Sequence, residues 1–291
     1  MFIPFGFWKN NAVSVCDRFI AAHEAATGHP MAAHQRSVVC TFVQMLYGVG
    51  TNNGTDLMTR MIEYGSLLFP LCPTNDNDAY MAGFEIDLVS GTKMGDYINM
   101  DDSHMTVQGA LPNANGQRFQ TYKTPSDYPI QNNYCFAYHQ NNVPRVNNYI
   151  FGAGTTQDNS LNMIVNSPGG NGWAYCRYNG DYGIVIQRYG YKGQVGLWHR
   201  INNNKFLYKT YNDGSMVKSY GSYESIPDRT NSTPFSFHTA TGVSSRYSER
   251  LSMYGFGINF DSNDTAAFND LSQAIRYFQE NILSNDTRRW I

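Results

Sequence analysis

Hydrophobic positions along the chain change their period twice. Residues 11–26 place Val15, Cys16, Phe19, Ile20 and His23 at helical spacing, and Gly28 supplies a stop. Pro30 opens a second helical stretch with Val38, Val39, Phe42, Val43 and Leu46 on one face, closed by Gly48 and Gly50. A third, short helix is expected over 56–64, with Leu57, Met61 and Tyr64 aligned. The segment 72–79 reads as a loop. From Met81 the period becomes two. Strands are expected at 83–89, 134–140, 148–153, 160–165, 173–178, 182–188, 194–201, 205–211, 215–219, 235–238 and 250–255. Turn clusters separate them, with Asn-Gly at 179–180 and Asp-Gly at 213–214 as the strongest hairpin markers. The helical period returns over 264–283, where Phe268, Leu271, Ile275, Phe278 and Ile282 form one stripe behind Ser262 or Asp264 as cap.

Strands in succession without intervening helices indicate a β-sandwich or barrel. The expected organisation is an aromatic arm at 1–10, a helical lead-in at 11–80 and a sandwich with a closing helix at 81–291. At 291 residues no external staple is needed to support such a core. Charge narrows the function classes. With 21 basic against 23 acidic residues the chain lacks the positive excess of a nucleic-acid binder. Charged residues are only 15%, while aromatics reach 14%, so polarity rests on neutral groups, among them 30 Asn and 21 Tyr. The five cysteines show no metal-ligand spacing, and a reduced state is the expectation. No basic n-region opens the chain and no apolar run approaches a membrane span, so neither secretion nor insertion is expected.

Chemistry is sparse. Glu85 and Asp87 alternate on an expected strand with Phe84, Ile86 and Leu88 turned to the core. Paired carboxylates are the equipment of a retaining glycosidase. The string resembles the E-[ILV]-D-x-x-E signature of laminarinase-like glycoside hydrolases, which act on β-glucans. Val89 and Ser90 stand where the acid/base Glu belongs, so no catalytic residue is assigned and an alternating, half-exposed structural strand is expected, with a hydrolase of that class as the alternative. His29 and His34 are split by Pro30, which spoils one-turn zinc geometry. Asp76 with Asp78, and Asp96 with Asp101 and Asp102, have the oxygen chemistry of calcium ligands, but turn formation accounts for them. No metal or cofactor is expected. Trp173, Tyr175, Tyr178, Tyr182, Tyr189 and Tyr191 are the glycan-binding candidates, because sugar C–H faces stack on such rings while Asn and Asp take hydroxyls. The alternative is that these rings fill the core.

The C-terminal string Ser248-Glu249-Arg250-Leu251-Ser252-Met253-Tyr254-Gly255-Phe256-Gly257, followed by the helix bearing Phe268, Leu271, Ile275 and Phe278, resembles the end of concanavalin A-like, laminin-G-type domains of tailed-phage virion proteins. In that family a strand ending in an x-x-G-x-G turn leads into such a helix. The hairpin from Phe206 to Ser215 is similar to another of the family's features. The resemblance implies a mostly β, jelly-roll chain with an N-terminal helical region and a closing C-terminal helix. It further implies a virion structural or adhesive role on capsid or tail, assembly in the host cytoplasm, no catalysis, and a homo-oligomer that meets host-surface glycan. The arm bearing Phe2, Phe5, Phe7 and Trp8 is the anchoring candidate toward other virion proteins. Pro4 and Gly6 make it extended on this reading; folding back over its own helices is the alternative.

Overall fold

A computed structural model describes residues 5–51, 54–128, 133–139, 148–153, 161–166, 173–178, 181–187, 193–200, 205–212, 215–222, 233–239, 250–259 and 265–285. Side chains are described over 14–51, 54–128, 134–138, 150–153, 233–239, 250–259 and 266–285. The helices are α1 (Phe5–Thr27), α2 (Ala33–Gly48), α3 (Leu57–Tyr64), the single turn α4 (Met81–Phe84) and α5 (Thr265–Asn281). Their ends follow local chemistry. Gly28 takes a left-handed φ of 71° after α1 and returns its N–H to Glu24 O at 2.9 Å. Asp56 caps α3 by accepting from Thr59 N at 2.7 Å, and Gly65, also left-handed, closes it. One expectation is corrected here. Phe5, Phe7 and Trp8 are helical, not extended, because Pro4 precedes the first helical residue and there surrenders an N–H that no helix would use. Phe2 lies outside the described residues.

The strands are β1 (Leu67–Phe69), β2 (Ile86–Asp87), β3 (Thr92–Lys93), β4 (Gly95–Ile98), β5 (Met105–Thr106), β6 (Gly109–Ala110), β7 (Arg118–Thr121), β8 (Asn133–His139), β9 (Asn148–Ala153), β10 (Leu161–Asn166), β11 (Trp173–Tyr178), β12 (Asp181–Gln187), β13 (Gly193–Arg200), β14 (Lys205–Asn212), β15 (Ser215–Ser222), β16 (Ser236–Phe237) and β17 (Leu251–Asn259). One sheet runs β15-β14-β13-β8-β17-β6-β5, with β1 also on β17; the second runs β12-β11-β10-β9-β16-β7-β4. The pairing is antiparallel throughout. The hairpin markers hold: Tyr178 pairs with Asp181 across 179–180, and Asn212 with Ser215 across 213–214.

Two cores follow from the alternation of β8 and β17. Cys135, Ala137, Leu251, Tyr254 and Phe256 join Phe119, Phe151, Phe235 and Phe237 of the second sheet in an aromatic core between the sheets. Tyr134, Phe136, Tyr138, Met253 and Ile258 belong to another core, with α1, α2, α3 and α5. The eight-stranded sheet is therefore buried on both faces where these strands run, and helices lie on the side away from its partner sheet. Phe268 of α5 meets the ring of Tyr134 edge-on at 4.7 Å, and Phe278 approaches Phe42 of α2 at 5.1 Å. Within the helical layer Cys16 and Cys40 form a disulfide, with Cα atoms 5.1 Å apart. This corrects the reduced expectation. Packing of α1 on α2 brings together cysteines 24 positions apart, which no spacing rule reads. Cys72 and Cys135 are buried and not disulfide-bonded. Among the described residues no helix is long and apolar enough to cross a membrane.

Candidate functional site

The expected strand at 83–89 is replaced by α4, the two-residue β2 and a turn, and its carboxylates face inward. Glu85 is 5% exposed and Asp87 fully buried. Asp87 accepts Leu68 N and Ser90 N, each at 2.7 Å, so it fastens β1 to the turn after β2. Burial outweighs these bonds and pushes its pKa up to about 6. Glu85 accepts Tyr97 N at 3.1 Å from β4, which satisfies a donor on the outermost strand of its sheet, and receives Lys93 Nζ at 2.7 Å. Both carboxylates are structural acceptors for backbone N–H groups. The alternating pattern had the right residues; a backbone donor, having no sequence signature, concealed their partners.

The acidic candidates for calcium are used separately. Asp76 takes Gln35 Nε2 at 2.8 Å and Ser284 N at 3.0 Å, tying the end of α5 to α2. Asp78 takes Asn75, Asp102 takes Met81 N, and Asp101 caps the turn that ends in His104. His34 bonds Asn281 O at 2.6 Å, while His29 stacks on Tyr80. Among the described residues the one cluster of three metal-type donors is Cys16, Asp17 and Cys40, whose two sulfurs are bonded to each other.

Register aligns residues in rows across the seven-stranded sheet. One row pairs Asp96, Gln120, Ser236, Gly152, Asn162, Arg177 and Tyr182 in turn across all seven strands. The neighbouring row pairs Tyr97, Phe119, Phe237, Phe151, Met163 and Cys176, and its first four members lie in the inter-sheet core. The first row is thus the outer one. Trp173, Tyr175 and Tyr178 lie on β11 and Tyr182 on β12, where register shifts beside Tyr175 and beside Met163 interrupt the rows; their side chains lie outside the described ones. Tyr189 and Tyr191 lie outside the described residues.

At the β4–β7 end of that outer row lies a polar ledge that the sequence pattern missed. Tyr122 follows β7 and is 51% exposed. Its hydroxyl lies beside Asp96; desolvation first, and that carboxylate second, raise its pKa. Asp96 also receives Lys93 Nζ at 2.8 Å, which holds its carboxyl below the ordinary range. Desolvation opposes the charge on Lys93, but the two carboxylates prevail and keep its pKa above the usual lysine value. Arg118 places Nε at 3.2 Å and Nη2 at 3.0 Å from Gln120 Oε1. The row is half-exposed at Asp96 and Gln120 and closed at Ser236, which is fully buried, so the ledge ends against a step. The legible signal was the alternation Arg118-Phe119-Gln120-Thr121-Tyr122, too short beside Gly116 to stand out.

No protein-family model matches the chain, and no curated protein matches it. Solved structures are similar in part. A sialidase carbohydrate-binding module, the Ruminococcus gnavus IT-sialidase CBM40 bound to alpha2,3 sialyllactose, is 12% identical over 56% of this chain and 96% of its own, with a TM-score of 0.40. A Trypanosoma rangeli sialidase mutant displaying trans-sialidase activity is 12% identical over 86% of this chain but 39% of its own, at 0.47. An arabinofuranosidase complexed with arabinofuranosyl-alpha-1,2-xylobiose is 10% identical over 58% and 40%, at 0.43. Likenesses this slight carry no weight for function.

Proposed function

We propose that the chain is a non-catalytic carbohydrate-binding protein, of concanavalin A-like jelly-roll architecture, that uses the outer face of its seven-stranded sheet. The observation that carries this reading is the ledge: an exposed ring next to Asp96 and an amide held by Arg118, on one face of a sheet. Sugars are recognised by that combination, a ring for the C–H face and fixed polar groups for hydroxyls. To the ledge we add Tyr182, at the far end of the same row, and Tyr175 and Trp173 of the adjacent strand as further glycan-contact residues. Glu85 and Asp87 support the non-catalytic side of the proposal, because their oxygens are engaged by backbone N–H groups. Following the C-terminal resemblance, we place the protein in many copies on a particle such as a tailed-phage virion, where avidity compensates for weak single sites. Phe5, Phe7 and Trp8 then anchor it as the first turns of a helix. Ligand-observed NMR against a panel of neutral and acidic oligosaccharides tests the reading. Binding in the millimolar range that falls at least tenfold in Tyr122→Ala is expected. No binding to any glycan defeats it, and release of reducing sugar from a β-glucan that disappears in Glu85→Gln defeats its non-catalytic part.

A further inference from the structure

Resting on the carbohydrate reading, we infer that the ledge selects uncharged sugars and turns away sugar carboxylates. Among the described residues, the two cations bonded to polar groups of the ledge are both engaged. Lys93 Nζ sits between Glu85 Oε2 at 2.7 Å and Asp96 Oδ1 at 2.8 Å. Arg118 directs Nε and Nη2 onto the single oxygen of Gln120 and Nη1 onto Gly116 O at 3.3 Å. A sugar carboxylate is held best by a guanidinium fork presented to it. Here the Nε–Nη2 edge is taken by Gln120, and turning that edge to an anion strips Gln120 Oε1 of its donors. An incoming anion also meets the half-exposed carboxylate of Asp96, whose lysine is shared with Glu85.

The same arrangement suits a hydroxyl. Asp96 offers acceptor lone pairs toward the exposed face. With Gln120 Oε1 fixed by Arg118, the amide nitrogen of Gln120 is left as a donor at a set angle. Tyr122 is fixed at its backbone by an N–H bond to Met94 O at 2.9 Å, which sets its ring beside Asp96 before a ligand arrives. Donor, acceptor and ring are therefore pre-positioned for a neutral pyranose. Arg177 of the same row does not serve the ledge. It stands four strands from Gln120, roughly 19 Å at ordinary strand spacing, beyond the buried Ser236 and Gly152.

The test pairs each neutral sugar with its own acid. Methyl glycosides of glucose, galactose and mannose and the corresponding uronates are titrated into the full chain under one salt condition, followed by NMR and calorimetry. The expected result is binding of at least one neutral glycoside, with its uronate at least tenfold weaker. In Asp96→Asn the gap should narrow, because the repelling charge is gone while an acceptor oxygen remains. A uronate that binds as tightly as its neutral partner overturns the inference and leaves the carbohydrate reading standing. So does uronate binding abolished by Lys123→Ala, since that cation adjoins Tyr122. A gap unchanged in Asp96→Asn also overturns it. If neither neutral nor acidic oligosaccharides bind at all, the carbohydrate reading itself falls.

Discussion

Asp87 shows how one buried group ties local geometry to solution behaviour. Its folded-state pKa of about 6 lies above the ordinary 3.8, so the folded protein holds this proton more firmly than the unfolded chain. The stability that accompanies the proton is complete below pH 3.8 and is lost as pH rises through about 6. Urea midpoints measured from pH 3.5 to 7 should carry this fall, worth on the order of 1–3 kcal/mol. In Asp87→Asn the variant is less stable, because one backbone donor loses its acceptor, but the slope from this group is gone. An identical slope in both proteins would show that Asp87 titrates normally. Glu85→Gln is the milder change: Gln keeps an acceptor for Tyr97 N, and the lost pair with half-exposed Lys93 costs at most about 1 kcal/mol. That these residues matter was legible in the sequence; that they face backbone and not substrate was not.

Among the elements, β17 explains why the closing string reads as it does. Its face toward the helices carries Met253 and Ile258, its other face Leu251, Tyr254 and Phe256, so apolar residues run almost without interruption. The two glycines expected to end the strand in a turn lie inside it, where pairing with β8 slips between Gly255 and Ile258. Gly257 has φ of 71°, and a Cβ there would lie 2.2 Å from the Tyr128 ring. Gly257→Ala should therefore cost more than about 1 kcal/mol, read as a lower urea midpoint at unchanged slope. For α5, Phe268 is fully buried against Tyr134, so Phe268→Ala should cost about 3–5 kcal/mol. An effect below about 1 kcal/mol would mean that the helix is not bedded on the sheet. Helical period exposed this helix completely. The short strands β2 to β7 escaped because two to four residues are too few to establish alternation.

Taken whole, the molecule stacks a helical layer, a doubly covered sheet and a second sheet with an outer polar face. The change of period along the chain announced both kinds of element but not their stacking, since the facing of β8 toward α5 joins residues more than 120 positions apart. The disulfide belongs to this scale, for it joins the first two helices into one unit. Its loop of about 24 residues implies roughly 2–4 kcal/mol on chain-entropy grounds. Mild reduction should lower the melting temperature, Cys40→Ser should reproduce the loss, and reduction of that variant should change nothing further. A melting curve indifferent to reductant would show that α1 needs no staple.

The opposition of helical layer and ledge has a directional consequence. On the proposed reading, a hold on the helical layer and a sugar at Tyr122 would act on opposite sides of a stack about 20 Å deep, given ordinary sheet and helix spacings. The body thus has a back and a front. If the proposed function holds, a copy held by the back would present its binding face outward, and copies crowded side by side would add to adhesion until their flanks touch.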